Sequence, residues 1–247
     1  MSNWVEATVA GQKQWTDSLF SLQVEAEIAP FEAGQFGKLA LDIDGETVAR
    51  PYSFVNAPHE RPYEFYYIKV AEGPLSSRLP NLAAGDKVLV APKASGFLVL
   101  SEVLDAENLW LIATGTGIGP FLSMLKTAVP WQRFGKVMLV HAVRHALELS
   151  YRETIEALQA AHAAQFRMIS FVSREAHPGA LIGRIPAAIT DGRLEAAAGV
   201  PLSVQTSQIM LCGNPDMVRD TLSALQLRGM KKHRRRDPGQ ITVENYW

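Results

Sequence analysis

The sequence predicts two domains, an antiparallel β-barrel over residues 1–100 and an α/β domain with a parallel sheet over residues 101–247. Short strand-like segments separated by turn signals occupy the first part of the chain. From about residue 102, continuous apolar runs alternate with helical segments, which is typical of a parallel sheet covered on both faces. The boundary is expected near Ser95–Glu102, where the rhythm changes.

The first half contains six predicted strands, separated by turn dipeptides such as Asp44-Gly45 and Gly85-Asp86. The strands are Trp4–Ala10, Leu19–Ala26, Gln35–Ile43, Pro51–Asn56, Tyr63–Val70 and Lys87–Ala91. Their number and spacing favour a small antiparallel barrel.

The second half contains buried apolar strands with helices between them. The predicted strands are Asn108–Thr114, Lys136–Val143, Phe166–Ser173, Gln208–Asn214 and, along the edge of the sheet, Ile241–Trp247. The predicted helices are Phe121–Ala128, Tyr151–Ala164, Ile185–Ala198 and Asp216–Leu227. This alternation favours an open α/β sheet.

Composition excludes several classes of protein. The net charge is -1 and the sequence pI is about 6.6, so the molecule as a whole is not attracted to nucleic acid or to anionic membranes. The single cysteine, Cys212, excludes an internal disulfide and a cysteine-held iron–sulfur or zinc site. No signal peptide and no apolar run of membrane-spanning length is found, and we expect a cytoplasmic protein without a bound metal.

A glycine-rich turn, Gly115-Thr116-Gly117-Ile118-Gly119-Pro120, follows the first strand of the second half. Glycines allow a sharp turn and a close approach of phosphate, and proline suits the first turn of the helix that follows. The spacing differs from the dinucleotide fingerprint G-x-G-x-x-G. By itself, the turn is equally compatible with a tight strand–helix connection.

The ends of the other parallel strands carry cations and small polar residues. Val143-Arg144 and Ser173-Arg174 end two strands, Arg184 follows, and Cys212-Gly213-Asn214-Pro215-Asp216 ends a third. Ligands of open parallel sheets bind at this edge, and arginines there suit a ribose 2′-phosphate. Glu175 is an alternative partner for Arg174.

Two segments of the barrel half have the residue types of a cofactor site. Arg50-Pro51-Tyr52-Ser53 combines a phosphate-binding cation, a ring that can stack on a flat cofactor and a hydroxyl. Gly73-Pro74-Leu75-Ser76-Ser77 is a small-residue loop that could cradle phosphate. Taken alone, the first segment is also compatible with an exposed arginine and a core tyrosine.

Together these motifs resemble those of the bacterial ferredoxin (or flavodoxin)–NADP reductases, over the whole chain. The resemblance implies an FAD-binding barrel and an NADP-binding α/β domain, with Ile68 replacing a usual valine. It assigns to FAD the residues Arg50, Pro51, Tyr52, Ser53, Tyr66, Ile68, Gly73, Pro74, Leu75, Ser76, Ser77, Thr116, Tyr246 and Trp247. It assigns to NADP the residues Gly115, Thr116, Gly117, Val143, Arg144, Ser173, Arg174, Arg184, Cys212, Gly213, Asn214 and Asp216.

The implied reaction is hydride transfer between NADPH and FAD, followed by single-electron transfer to ferredoxin or flavodoxin. Ser53, Tyr52, Cys212 and Tyr246 are the implied catalytic residues. Ser53 would orient the reactive edge of the flavin, and Tyr52 and Tyr246 would stack on its two faces. Cys212 would line the nicotinamide pocket, although a buried apolar filler is a comparable interpretation. Which of Tyr246 and Trp247 covers the flavin is left open by the terminal aromatic pair.

The basic run Lys231-Lys232-His233-Arg234-Arg235-Arg236 suggests a docking surface for an acidic carrier protein. A solvated loop is an equally good interpretation of it. A monomer is expected. Two other functions remain possible at this level: a flavin reductase or oxygenase reductase component with the same fold, and a nucleotide-sensing or nucleic-acid-binding module. The run lacks the interleaved aromatic residues of base-stacking surfaces, which disfavours nucleic acid.

Overall fold

The protein is described by a computed structural model, in which residues 4–245 form two six-stranded sheets. All pairings in the first sheet are antiparallel, in the order β4-β3-β6-β1-β2-β5. Its strands are β1 (Val5–Gln14), β2 (Leu19–Glu25), β3 (Phe36–Ile43), β4 (Glu46–Ser53), β5 (Tyr63–Ile68) and β6 (Lys87–Val90).

The first sheet closes on itself through the two strands at its ends. Phe54, directly after β4, forms a bridge with Phe65 of β5, and the N–H of Val55 donates to the carbonyl of Glu64 at 2.9 Å. Closure removes the open edges that would otherwise expose unpaired backbone groups. Inside the barrel, apolar and aromatic side chains form one buried cluster that includes Leu39, Phe54 and Phe65.

The second sheet is entirely parallel, in the order β10-β9-β8-β7-β11-β12. Its strands are β7 (Asn108–Thr114), β8 (Lys136–Val143), β9 (Phe166–Val172), β10 (Ala180–Ile182), β11 (Ser207–Gly213) and β12 (Ile241–Asn245). The α-helices are α1 (Gly119–Leu125), α2 (Val129–Arg133), α3 (Arg152–Ala161), α4 (Ile185–Thr190), α5 (Arg193–Ala198) and α6 (Pro215–Gln226). Short 3₁₀ helices cover Leu79–Asn81, Leu100–Glu102, Gly115–Ile118 and Ala146–Glu148.

Alternate residues of the parallel strands lie on opposite faces of the sheet and pack into two different hydrophobic clusters. Leu111 and Leu139 face a cluster that includes α1 and the barrel residue Leu19, whereas Ile112 and Val140 face a cluster with α4, α5 and α6. A sheet covered on both faces requires strands that are apolar at every position, and this explains why the sequence shows continuous runs rather than alternation. The predicted order of an antiparallel domain followed by a parallel α/β domain is confirmed.

The structure corrects several element boundaries. The predicted helix Ile185–Ala198 is two short helices, because Asp191 and Gly192 end the first and begin the second. The fourth strand begins at Glu46, five residues before Pro51, because Glu46–Ser53 pairs along the full length of β3. Strand β10 has only three residues and no clear sequence pattern. Tyr246 and Trp247 lie outside the described residues.

Tyr151 joins the parallel-sheet domain to the barrel. Its hydroxyl donates to Glu64 Oε1 at 2.6 Å and lies 2.5 Å from Ser21 Oγ, both on barrel strands. Ser21 Oγ in turn accepts the indole N–H of Trp15 at 2.8 Å. A second bond joins Tyr66 to Ser150 at 2.8 Å, so the barrel and the parallel-sheet domain meet through hydrogen-bonded aromatic residues.

Gly34, in the connection before β3, packs tightly against Leu98 and against α1 of the second domain. With φ +103°, an added Cβ would lie 2.0 Å from the carbonyl oxygen of Leu98 and 2.4 Å from Cε of Met124 in α1. Gly45 has a similar φ of +86°, yet an added Cβ would meet nothing within 4 Å. A substitution at either glycine would strain the backbone, but only a substitution at Gly34 would also create a steric clash.

We expect Gly34→Ala to lower the free energy of unfolding by about 1–3 kcal/mol more than Gly45→Ala. Both substitutions carry the cost of a positive φ, roughly 1 kcal/mol, but only Gly34→Ala forces the Leu98 backbone to move. Urea denaturation of both variants measures the difference. Equal losses would contradict the tight packing at Gly34.

Candidate functional site

A cleft of about 390 Å³ lies between the barrel and the carboxyl edge of the parallel sheet. Ser18, Leu19 and Ile68 of the barrel form one wall. The opposite wall is formed by the residues that end β7, β8, β9 and β11. Because parallel strands all end at the same edge, segments that are far apart in sequence converge here.

The residues predicted to bind NADP converge at this cleft, with two exceptions. Those that line it are Gly115, Thr116, Val143, Arg144, Ser173, Arg174, Arg184, Gly213, Asn214 and Asp216. Gly117 and Cys212 are buried behind it. The proposed role of Cys212 beside a nicotinamide stays a prediction, since its side chain is fully buried in the sheet core.

The glycine-rich turn lies against the end of β11. A Cβ at position 117 would lie 2.6 Å from the carbonyl oxygen of Cys212, so the two backbones touch where only glycine fits. Thr114 Oγ1 accepts the N–H of Asn214 at 3.0 Å and ties the same two strand ends together. Asn214 then caps α6 by accepting the N–H groups of Asp216 and Met217 at 2.9 and 3.2 Å.

Three exposed arginines at the cleft, Arg144, Arg174 and Arg184, form no ion pair with any residue between 4 and 245. Glu175 was the alternative partner of Arg174. Its carboxylate instead accepts the N–H of Ala146 at 2.6 Å and lies 3.8 Å from His145 Nδ1.

The second carboxylate at this edge is also occupied. Glu148 Oε2 accepts the backbone N–H groups of Arg144 and His145 at 2.9 and 3.4 Å. Because the nearby carboxylates are directed to backbone amides, the guanidinium groups are available for an external anion.

The segment Arg50–Ser53 lies at the end of β4, outside the residues that line the cleft. Ser53 is buried and Tyr52 is half-buried. Burial raises the pKa of Tyr52 to about 12, opposed by the nearby charge of Arg50, so the phenol is neutral. Pro51 is tolerated because β4 pairs through the ladder with β3 alone.

The loop Gly73–Ser77 is a compact turn on the barrel. Ser77 Oγ donates to the carbonyl of Gly73 at 2.7 Å, Val70 donates its N–H to Ser76 Oγ at 3.3 Å, and Leu75 is fully buried. A Cβ on Gly73 would lie 2.3 Å from Ser76 Oγ. The backbone at Gly73 therefore lies so close to the Ser76 hydroxyl that a side chain at position 73 would force this hydroxyl to move.

Gln12 links this loop region to Tyr52. Its Oε1 accepts the hydroxyl of Tyr67 at 2.5 Å, and its Nε2 donates to the carbonyl of Leu82 at 3.0 Å, just beyond the loop. The Tyr67 ring lies 6.0 Å from the Tyr52 ring, edge to face. Tyr66, which was also assigned to the cofactor, is buried with its hydroxyl on Ser150, whereas Ile68 lines the cleft.

Glu244 is a further candidate site residue that sequence reasoning missed. An added Cβ at Gly96 would lie 3.2 Å from Glu244 Oε1 and 3.0 Å from the Phe36 ring, and Phe36 is the register partner of Ser53. Burial raises the pKa of Glu244 to about 7, and its Oε2 has no hydrogen-bond partner within the described chain. The available signal in the sequence was that Glu244 is the only charged residue in the strand Ile241–Asn245.

His141 was also missed, although a histidine inside the apolar run of β8 is unusual. Its ring is fully buried and its Nε2 lies 2.9 Å from the carbonyl oxygen of Gly115, the first residue of the glycine-rich turn. Burial lowers the pKa of His141 to about 4. The imidazole is therefore neutral at physiological pH.

The basic run Lys231–Arg236 forms an exposed loop before β12, with only His233 half-buried. Arg235 is not a free cation: its Nη2 lies 2.6 Å from Glu102 Oε1 and its guanidinium covers the ring of Phe97 at 4.4 Å. The remaining cations, Lys231, Lys232, Arg234 and Arg236, form no ion pair within the part of the chain that the structure describes.

No helix within residues 4–245 combines the length and apolar character needed to cross a membrane. The sequence model of the family described as "Oxidoreductase NAD-binding domain" matches residues 111–223, which include the glycine-rich turn and all three arginines of the cleft.

Full-length relatives and a solved structure extend this match to the whole chain. The flavodoxin/ferredoxin–NADP reductase of Escherichia coli (strain K12) is 50% identical, covering 100% of both chains. The ferredoxin–NADP reductase of Azotobacter vinelandii is 34% identical, covering 99% of this chain and 98% of its own. The crystal structure of a ferredoxin NADP+ reductase from Neisseria gonorrhoeae, with bound FAD and NADP, covers 100% of both chains at 33% identity and a TM-score of 0.95. The chain belongs to the flavodoxin/ferredoxin–NADP reductase family.

Proposed function

We propose that this protein is an FAD-dependent reductase that transfers electrons between NADPH and a one-electron carrier protein, ferredoxin or flavodoxin. The observation that carries the proposal is the cleft edge, where three arginines without ion pairs in the described chain flank a glycine-rich turn and face the barrel. The full-length relatives named above support the same reaction.

Arg174 and Arg184 are proposed to bind the 2′-phosphate of NADPH, with Arg144 contributing at the same edge. A 2′-phosphate calls for guanidinium donors, whereas the 2′-hydroxyl of NADH is usually held by a carboxylate. Glu148 and Glu175 are already committed to backbone amides and to His145. The arrangement therefore favours NADPH over NADH.

The barrel residues fit FAD. Tyr52 offers a neutral, partly exposed ring for stacking, Arg50 is an exposed cation for the pyrophosphate, and the loop Gly73–Ser77 is a compact turn that presents small residues and hydroxyls. Bound FAD supplies the hydride-accepting and single-electron chemistry. Two further residues assigned to FAD, Ile68 and Thr116, line the cleft where nicotinamide and flavin would meet.

Ser53 and Glu244 are proposed to manage hydrogen bonds and protons at the reacting edge of the flavin. Both lie beside Phe36, at the junction of the barrel with β12. With a pKa of about 7, Glu244 can hold or release a proton at neutral pH. Tyr246 and Trp247 keep their predicted stacking roles, and the strand that precedes them pairs Asn245 with Gly213 at the cleft.

Lys231, Lys232, Arg234 and Arg236 are proposed as the docking cations for an acidic carrier, because they are exposed and lack intramolecular ion pairs within the described chain. Arg235 contributes to the loop's conformation through Glu102 instead. A domain boundary at residue 100, a monomeric state and a cytoplasmic location remain predictions.

The function is tested with purified protein that carries FAD, recognised by flavin absorption bands in the visible range. Replacing Arg174 and Arg184 together with alanine should raise the KM for NADPH at least tenfold in carrier reduction, since each removes a charge-assisted hydrogen bond of about 1.5–3 kcal/mol. The KM for NADH should hardly change.

Arg167→Ala is the matched control, because Arg167 is exposed at the opposite, amino-terminal edge of the sheet. An equal increase of both KM values in the double variant would mean that these arginines are structural. Absence of bound flavin from the wild-type protein would refute the proposed reaction itself.

Reversing the charge of Lys231 and Lys232 to glutamate should slow reduction of the carrier protein about tenfold at low ionic strength, because complementary charge accelerates encounter. Ferricyanide reduction should be unaffected. Lys136→Glu with Arg167→Glu is the control of equal charge, placed at the far edge of the sheet. Loss with both acceptors would indicate a flavin defect and contradict a docking role.

Glu244→Gln tests the buried carboxyl through stability. The folded pKa of about 7 exceeds the ordinary value of 4.5, so the unfolded chain ionises first as pH rises. The free energy of unfolding that depends on Glu244 is therefore highest below about pH 4.5. It falls as the pH rises from about 4.5 to 7 and is lowest above pH 7.

Relative to wild type, apoprotein with Glu244→Gln should gain on the order of 2 kcal/mol over that interval. Urea titrations at several pH values measure the gain, with the exposed Glu25→Gln as control. A difference between wild type and Glu244→Gln that does not vary with pH would show that Glu244 ionises normally.

A further inference from the structure

His141 occupies a position where a polar ring is costly. It is completely buried in the middle of the parallel sheet, between Ala113 of β7 and Ser170 of β9 in register. Its neighbours along β8 on the same face, Leu139 and Val137, belong to the apolar core. A buried imidazole is tolerated only when its polar atoms gain compensating hydrogen bonds.

The bond at Nε2 determines the chemical form of the ring. A carbonyl oxygen only accepts, so the 2.9 Å contact with Gly115 requires Nε2 to carry the proton. The pKa of about 4, lowered by burial, keeps the second proton off the ring at working pH. Nδ1 is thus an acceptor, and it has no hydrogen-bond partner among residues 4–245.

The acceptor, Gly115, is the first residue of the turn that forms the floor of the cleft. Gly115 has φ +51° and lines the cleft together with Thr116. The C=O and N–H of a trans peptide point in opposite directions. Holding the Gly115 carbonyl toward His141 therefore directs the N–H of Thr116 away from the sheet core.

The turn is held from both neighbouring strands. On one side it packs against the backbone of Cys212 at the end of β11, with room for no Cβ at Gly117. On the other side, the His141 side chain of β8 forms a hydrogen bond with the Gly115 carbonyl. Loss of the His141 donor would remove the hydrogen bond that joins the Gly115 carbonyl to β8, while the 3₁₀ turn over Gly115–Ile118 and the packing against β11 remained.

We propose that His141 is a positioning residue whose Nε2–H donor holds the Gly115–Thr116 peptide in the orientation needed to align the nicotinamide of NADP(H) for hydride transfer. This inference rests on the proposed function. The arginines that would bind the adenosine half lie after β8 and β9 and before α4, on segments that this bond does not touch. A change at His141 should therefore impair the alignment of the nicotinamide without weakening the binding of the adenosine half.

His141→Leu removes the donor while retaining an apolar side chain, and His141→Gln retains an N–H donor on a flexible chain. In stopped-flow experiments with FAD-loaded protein at saturating NADPH, flavin reduction by the leucine variant should be at least about tenfold slower, as expected for a misaligned reactant. The glutamine variant should recover most of the rate. The Kd for 2′-phospho-AMP, which lacks the nicotinamide, should stay within about twofold of wild type in both.

A leucine variant with an unchanged rate would overturn the proposal. Equal slowing in both variants, together with equally weakened 2′-phospho-AMP binding, would also overturn it, because it would indicate general disruption of packing. If wild-type protein binds 2′-phospho-AMP but its flavin is not reduced by NADPH, the proposed function fails instead.

The hydrogen bond itself has a readout that is independent of catalysis. In ¹⁵N-labelled wild-type protein, the imidazole signals assigned by their loss in His141→Gln should correspond to a neutral ring protonated at Nε2, without titration between about pH 5 and 8. A ring protonated at Nδ1, or one that titrates in that range, would contradict the geometry and the proposal with it.

Discussion

The cleft depends on one buried hydrogen-bond chain between the two sheets. The indole of Trp15 donates to Ser21, and Ser21 is joined to the Tyr151 hydroxyl, which donates to Glu64. Since the Tyr151 proton is directed to the carboxylate, the Ser21 hydroxyl supplies the proton of the remaining bond. The bond between Ser21 and Tyr151 is fully buried and both groups would be costly if left unpaired, so the chain helps to hold the barrel and the parallel sheet in one relative position.

Tyr151 reaches this position through an unusual backbone. Among residues 4–245 it is one of two non-glycine residues with a positive φ, at 62°, and it immediately precedes α3. Burial, reinforced by Glu64, raises the pKa of its phenol well above the ordinary value, so it remains a donor. Ser21 is two residues along β2 from Leu19, which lines the cleft. The positive φ of Tyr151 therefore lies in the same core cluster as Leu19, which forms part of the barrel wall of the cleft.

The electrostatics of the cleft result from where the carboxylates are committed. Glu148 and Glu175 lie close to the arginines but bond to backbone amides, which leaves the cations available. At Glu102 the carboxylate does pair with an arginine. Arg235, one of six consecutive basic residues, forms a bidentate ion pair with it. Local sequence does not distinguish these outcomes, because each depends on which loop packs against which.

The sequence by itself determined the order of the two domains and the edge at which the site lies. Short strands separated by turn signals predict the barrel, continuous apolar runs between helices predict a sheet covered on both faces, and the ends of parallel strands must converge. The proximity of Gly115, Arg144 and Arg174 follows from that rule alone. Family motifs added the barrel residues Arg50–Ser53 and Gly73–Ser77, whose cofactor contacts remain proposals.

Only the tertiary structure decided the partners and protonation of individual side chains. The neutral form of His141 depends on burial inside β8 and on the position of the Gly115 carbonyl, and the raised pKa of Glu244 depends on its burial beside Phe36 and Gly96. Packing in space also decided that Arg235 pairs with Glu102 and that Cys212 is buried in the core of the sheet. Desolvation and hydrogen bonding are set by the residues that pack around a group in space, and spacing along the chain does not contain that information.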